Sequence, residues 1–393
     1  MNHIQQSPTD PAFVQDPYPF YARARALGPV VHWDDYKLPC VFGFAAANAI
    51  LRDRRFGREV PAAQRTPIAA HTAPFYAIDA HSMLELEPPR HTRLRKLVLR
   101  AFTSRRIEAL RPEVEALTHQ LIDAFPPGRF DLLRAFAEVI PVVVIARLLG
   151  VPEERKDQLL RWSHDMVAMY QAGRTRATED AAARASTEFA AFIRDHVEQR
   201  RGDPRDDLIT SLIAAEEEGE RLSADELIST CILLLNAGHE ATVHGIGNGV
   251  KAILEAGGPR DWLSPGKLDA TLEECLRLDP PLHMFTRWAY EEIDVMGHVF
   301  QPGDQVGVML AAAGRDPGMW DKPDAFNPDR PVKPHLAFGV GLHFCVGAPL
   351  ARMELAAALP ILFDRVPGLR LAEAPRYSDS YHFHGLSALM VQR

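Results

Sequence analysis

The stretch "FGVGLHFCVGAPLARMEL", residues 338–355, sets one of only four cysteines in a glycine-lined bend ahead of a helical pattern. Gly339, Gly341 and Gly347 permit tight turns and close approach of another body to the backbone. Pro349 falls in the first turn of the predicted helix, where a missing N–H costs little. The Ala, Leu, Arg, Met and Glu that follow are good helix formers. Cys345 therefore sits near the free N–H groups and the positive end of a helix dipole. Both favour the thiolate, the form that binds metals and attacks electrophiles. The expectation is an anionic Cys345, with glycines leaving room for something flat and large.

The surrounding chain narrows the class. It has 393 residues, 47% hydrophobic and 24% charged, which is ordinary for a globular protein. A formal charge of −8 gives no general affinity for nucleic acid. Cys40, Cys231, Cys275 and Cys345 are scattered, with no CxxC pair. That argues against a disulfide framework or a structural zinc site and fits a reducing compartment. The opening "MNHIQQSPTDPAFVQDPYPFY" has no basic-then-apolar leader, and no segment is apolar enough to span a membrane. A soluble, cytoplasmic protein is expected.

The coarse pattern is mainly α with a small β part. A helix is read at "PFYARARAL", then short strands near "GPVVHW" and "LPCVFGF". Residues 61–90 read as a long loop, which in a compact protein is usually functional or disordered. Helical patterns dominate from 91 to 280, and residues 281–335 are rich in proline, turns and short strands. The tail "YSDSYHFHGLSALMVQR" alternates like a hairpin. With no glycine- or proline-rich seam, residues 1–393 are read as a single domain.

Four further motifs stand out. "LSADELISTCILLLNAGHEATVHGIGNGVKAILEA" opens with Ser223 and Glu226, a capping box, and predicts a long buried central helix. Within it, Ala237 and Gly238 are small, while His239, Glu240 and Thr242 are polar, which suggests a local opening of the hydrogen-bond ladder. The plainer reading is a close helix crossing with Glu240 in an ion pair. In "TLEECLRLDPP", Glu274 and Arg277 share a helix face, a spacing whose usual fate is a surface pair. "LHMFTRWA" places Arg287 among apolar residues. "EPPRHTRLRKLVLRAFTSRR" puts His91 and Arg95 on one helix face and Arg93, Lys96 and Arg100 roughly opposite. Residues 90–106 carry seven Lys/Arg and no acid. One face could grip an internal anion while the other attracts an acidic partner; the alternative is a solvated amphipathic helix.

Together these motifs resemble a known family. "FGVGLHFCVG" matches the F-G-x-G-x-H-x-C-x-G loop of the haem-thiolate monooxygenases, the cytochromes P-450. "ECLR" matches their E-x-x-R pair, "AGHEAT" resembles their central-helix acid–alcohol motif, and "HTRLR" resembles their H-x-x-x-R helix. "GRDPGMWDKPDAFNPDR" looks like the meander before the cysteine loop. The order is the family's, and the resemblance runs over essentially the whole chain. Rival readings fare poorly. The dinucleotide fingerprint fails at its third glycine, where Phe344 stands, and zinc would find only His343 and Cys345.

The resemblance implies a single-domain P-450-like haem fold and a monooxygenase that puts one oxygen atom from O2 into a small apolar organic substrate, by hydroxylation or O-dealkylation. Cys345 would be the metal ligand of haem b, shielded by Phe338 and approached through Gly339 and Gly347. His91, Arg95, Arg287 and His343 would bind the propionates. Glu274, Arg277 and Arg330 would form a structural ion network. Gly238, Glu240, Ala241 and Thr242 would serve oxygen activation. Leu233, Ala237, Val243, Met284, Phe285 and Phe383 would line the substrate pocket. Electrons from NAD(P)H would arrive through a ferredoxin and its reductase, and the protein would be a monomer. One departure matters: the family usually has an alcohol directly after the acid, and this chain has Ala241. Two other readings remain, a peroxide-driven or non-monooxygenase haem-thiolate enzyme and a non-catalytic haem binder.

Overall fold

A computed structural model describes residues 1–171, 173–215, 219–257, 260–380 and 383–393. Its axis is the helix Ala224–Ala256. Ser223 Oγ accepts from the Glu226 N–H at 3.2 Å, and the Glu226 carboxylate accepts from the Ser223 N–H at 2.9 Å. Two orphan donors of the first turn are thereby satisfied. The far end stops at Gly257, whose φ of +57° suits glycine. Helices Val139–Leu149, Arg176–Gly202, Leu268–Leu278 and Ala348–Arg365 pack against it. That encirclement explains why most of its apolar half is buried.

The expected opening of this helix does not occur: residues 224–256 are helical throughout. Gly238 instead admits a neighbour, because a Cβ there would lie 3.3 Å from the Ile145 side chain. Glu240 finds its partner, His164, on another helix. Small and polar residues serve the crossing here without loosening the ladder.

A mixed six-stranded sheet holds, in order, Asn2–Ile4, Val31–Trp33, Leu38–Val41, Gln305–Met309, Met284–Ala289 and Phe56–Gly57. Two sequence expectations need correction. Residues 61–90 include a helix, Ala73–Asp79, which buries Phe75 and packs on Arg176–Gly202. The tail is a hairpin only in its first part, and its last strand goes elsewhere. Leu386–Ala388 pairs with Arg376–Tyr377, whereas Met390–Gln392 joins Arg370–Leu371 and Arg129–Asp131. Only Leu389 separates the two tail strands, too little for a turn, and its N–H is held by Asp131 at 2.9 Å. Alternation revealed the strands but not their partners. Among the described residues no helix is long and apolar enough to cross a membrane.

The helix Leu268–Leu278 carries the most deeply buried ion network. Arg277 donates to both carboxylate oxygens of Glu274, at 2.7 and 2.8 Å, and Arg330 adds a bond of 2.9 Å. Arg277 also bonds the carbonyls of Gly314 and Pro323, at 2.7 and 2.8 Å. Gly314 must lack a Cβ, which would lie 2.5 Å from the Arg277 carbonyl oxygen. Glu274 and Arg277 are 3% and 2% exposed, so the surface-pair reading is replaced by a core network. Removing one partner would leave a buried charge uncompensated. Arg277→Met should therefore cost about 3–5 kcal/mol in urea unfolding, whereas Lys251→Met, breaking a rim pair with Glu255, should cost at most about 0.5 kcal/mol.

Candidate functional site

The bend before Ala348–Arg365 is built from the backbone. Gly339 and Gly341 have φ of +65° and +79°, and a Cβ on Gly341 would meet the Leu51 carbonyl at 2.3 Å. The Cys345 N–H closes the bend on the Phe338 carbonyl at 3.0 Å. Of the four cysteines only Cys345 is exposed. Protein nevertheless surrounds the sulfur closely, so burial is the largest influence on it and raises its pKa. The N–H groups of Gly347 and Ala348, and the charges of Arg95 and Arg352, pull the other way but do not win. This corrects the expected standing thiolate. The helix start favours the anion, desolvation opposes it more strongly, and a cation at the sulfur would shift the balance back towards the anion.

Arg352 ties this bend to the ion-network helix. Its guanidinium lies 4.6 Å from the centre of the Phe338 ring and donates to both Glu273 oxygens, at 2.6 and 2.8 Å. His335 bonds the same carboxylate at 3.0 Å. Against burial, which raises it, these partners bring the Glu273 pKa down to about 2. Sequence reading passed over Glu273 and Arg352 because neither belongs to a spaced motif; adjacency to Glu274 and Cys345 was the only signal.

A string of cations lies beside the bend. The His91 and His343 rings lie tilted against each other with centroids 4.4 Å apart, and His343 bonds Glu87 at 2.9 Å. Burial and the neighbouring His343 and Arg95 charges lower the His91 pKa to about 4. Arg95 donates to the Phe344 carbonyl at 2.7 Å, and Arg287 to the Thr286 carbonyl at 2.8 Å. Arg287 is 3% exposed; burial, then the Arg58 charge, lowers its pKa to about 10. Arg58, missed in the sequence, is held by Glu85. Among the described residues neither Arg95 nor Arg287 has a carboxylate partner, and His91 Nδ1 is buried with no hydrogen bond. Such a donor set is short of anions.

The opposite face of this helix is less available than the sequence suggested. Arg93 is committed to Glu220, at 3.1 Å, and to Glu226. The capping box of the central helix thus draws one charge out of the basic face.

On the central helix Leu233, Ala237, Ala241 and His244 remain partly or fully exposed, spaced as one face. Thr242 and Val243 are buried off that face. Glu240 Oε1 lies 3.0 Å from His164 Nε2, and the His164 side chain is 60% exposed. The contact with Glu240 raises the His164 pKa, while burial, which would raise the Glu240 pKa, is overcome by His164. Phe383 forms a bridge with Leu282 and faces His244, with centroids 6.0 Å apart. Met284 and Phe285 are placed differently from expectation. Met284 packs on the N-terminal cluster with Trp33 and Cys40. Phe285 lies 3.3 Å from the Cβ position of Gly339 and under Arg58 and Arg287. Period-two alternation puts Phe285 and Arg287 on one side of their strand, with the cations.

Comparison with known proteins agrees with this geometry. The Cytochrome P450 family model matches residues 267–365. The cytochrome P450 monooxygenase PikC of Streptomyces venezuelae is 39% identical over 396 residues, covering 97% of this chain and 92% of that protein. The 6-deoxyerythronolide B hydroxylase of Saccharopolyspora erythraea is 38% identical over 377 residues, covering 92% of this chain and 91% of that protein. The crystal structure of P450BioI with a hexadec-9Z-enoic acid-ligated acyl carrier protein superposes with a TM-score of 0.90 at 33% identity, over 97% of this chain and 99% of that one.

The exposure pattern makes the role of Cys345 testable without turnover. In haem-free protein iodoacetamide should modify one thiol, Cys345, faster as pH rises towards its raised pKa. Cys40 and Cys231 are buried with pKa values pushed up to about 12, and should stay unmodified. Reconstitution with haem should protect Cys345; continued labelling at the haem-free rate would assign the metal to another ligand.

Proposed function

The chain belongs to the cytochrome P450 family, and from that premise we propose how its own residues divide the work of a haem-thiolate monooxygenase. Bound haem b supplies the oxygen chemistry, using O2 and NAD(P)H-derived electrons brought by partner proteins to place one oxygen atom in the substrate. Cys345 would hold the iron, where a thiolate pushes electron density towards O–O cleavage. The observation that carries this reading is the single exposed cysteine beside Arg95 and Arg287, guanidiniums with no carboxylate partner among the described residues. His91, Arg95, Arg287 and His343, with Arg58 added, would take the propionates, since anions there would answer Arg95 and Arg287, which have no carboxylate partner among the described residues. Phe338, Gly339 and Gly347 would shape the sulfur's surroundings.

Proton supply would fall to Glu240. His164 reaches solvent and contacts Glu240, so it can pick up a proton from water and pass it to the buried carboxylate. Glu240 and Ala241 are neighbours on the helix, and Ala241 has no hydroxyl to continue the relay. Thr242 is turned about 100° away and buried. The missing hydroxyl would come from an ordered water or from the substrate. The pocket face of Leu233, Ala237 and Ala241, closed by Phe383, suits a small apolar organic compound, with His244 as its one polar point. A ferredoxin and its reductase would deliver the electrons to a monomer working as one domain in the cytoplasm. A second reading, peroxide-driven oxidation, rests on Ala241 alone; turnover with NAD(P)H and partners against turnover with peroxide separates the two.

Cys345→Ser should abolish the thiolate-type absorption of the carbon monoxide complex, and retention of that band would overturn the assignment. Ala241→Thr should raise the product formed per NAD(P)H if water bridges the gap, and lower it if a substrate hydroxyl already fills that space. No change in either Ala241→Thr or Thr242→Val would remove this helix turn from proton delivery.

A further inference from the structure

Two histidines and an acid converge where the helix Lys156–Val167 packs on the central helix. His239 and Glu240 are successive residues of the central helix, and His164 stands in the last turn of its neighbour. One ligand-type atom of each lies within 4.8 Å of the other two. His239 and Glu240 are 3% and 7% exposed, whereas the His164 side chain is 60% exposed. The group is reached from solvent on one side and walled by the core on the other.

The facing atoms are close but do not satisfy one another. His239 Nδ1 is buried with no hydrogen-bond partner among the described residues. Glu240 Oε1 is 3.0 Å from His164 Nε2, near enough for charge attraction but off the line of a hydrogen bond, and 3.7 Å from His239 Nδ1. Atoms that approach this closely without bonding can share a third partner. A tetrahedral ion with bonds of about 2.0–2.1 Å sets its ligands about 3.3 Å apart, between those two distances. Burial lowers the His239 pKa to about 4, which keeps that imidazole neutral, the form that binds metals. Burial opposes the Glu240 anion, but His164 holds its pKa below the ordinary value. The mouth is acidic as well. After Glu240, whose contact raises the His164 pKa most, Glu138 and Asp165 add their negative charge. Such a field draws cations to the opening.

We propose that His164, His239 and Glu240 bind one zinc-class divalent cation, and that the ion closes the solvent end of the proton path. The ligands are His164 Nε2, His239 Nδ1 and Glu240 Oε1, with water completing the exposed side. Coordination displaces to solvent the proton that His164 carries when charged. Two core atoms, His239 Nδ1 and Glu240 Oε1, gain a partner. The closing role rests on the proposed relay from His164 to Glu240; the metal site rests on the geometry alone.

Untagged holoenzyme, freed of loose metal with a chelator and then titrated with zinc chloride in equilibrium dialysis, tests the site, with iron reporting haem. About one zinc per chain should bind. His164→Ala, at an exposed side chain, and His239→Gln should each weaken that binding at least about 10-fold, since even outer partners of a metal site cost about 10–100-fold. His3→Ala should bind zinc like the wild type, which separates the site from the exposed His3–His32–Asp34 cluster. Wild-type holoenzyme that takes no zinc, or binding indifferent to His164→Ala, overturns the site. If His239→Gln does not fold, zinc-edge X-ray absorption of the wild type must show two imidazoles and oxygen; sulfur ligation overturns it. In turnover with NAD(P)H and partner proteins, wild-type product formation should fall in proportion to zinc occupancy. The residual turnover of His164→Ala should not respond to the same zinc. Zinc bound by these residues with turnover unchanged overturns the closing role and the relay, whereas absent zinc binding overturns the metal site and not the relay.

Discussion

A carboxylate buried as deeply as Glu274 persists only if its charge is answered on every side. Here Arg277 and Arg330 answer it, and the Asn327 N–H adds a bond at 2.8 Å. Because Arg330 belongs to the segment before the cysteine loop, this compensation fixes where that segment ends. Glu273, the next residue on the same helix, then reaches Arg352 of the helix that follows Cys345. One turn of helix thus holds both approaches to the sulfur. Desolvation makes the arrangement demanding, since each charge is costly alone and tolerable only in this geometry.

The same rule, applied in reverse, marks the functional site. At Glu274 every charge finds its opposite. Near Cys345 the half-buried guanidinium of Arg95 and the buried one of Arg287 bond to carbonyls, and His91 Nδ1 is buried with no hydrogen bond. The thiol is likewise held above its ordinary pKa by burial while N–H groups and cations favour its anion. The imbalance is directional: the site lacks anionic charge at its cations and cationic charge at its sulfur. An iron porphyrin with two propionates carries both.

On the other side, an unbroken helix combines two tasks that the motif alone had suggested would conflict. Gly238 gives Ile145 its place, and Glu240 is drawn towards His164 and solvent. Ala241 is left on the open face without a hydroxyl. The chain therefore retains the acid and its contact with water while the last polar step is missing from the protein itself. Under the proposed relay, a substrate of suitable chemistry would supply what the helix does not.

Sequence alone determined the elements whose signals are local. Glycines around Cys345, the Ser223–Glu226 capping box, the apolar run of the central helix and the i, i+3 spacing of Glu274 and Arg277 each state their own geometry. Family resemblance then joined them into a haem-thiolate reading. Tertiary structure decided what depends on partners distant in the chain. It placed Arg58, Glu87 and His164 beside the expected site residues, though no motif assigned them a role, because only folding brings them within hydrogen-bond or ion-pair reach. It split the tail between two sheets, since alternation encodes a strand's faces and not its neighbours. It moved Phe285 to the cations and Arg93 to Glu226. Above all it supplied the burial that raises the Cys345 pKa, because a helix terminus is written in sequence whereas desolvation is a property of everything packed around the sulfur.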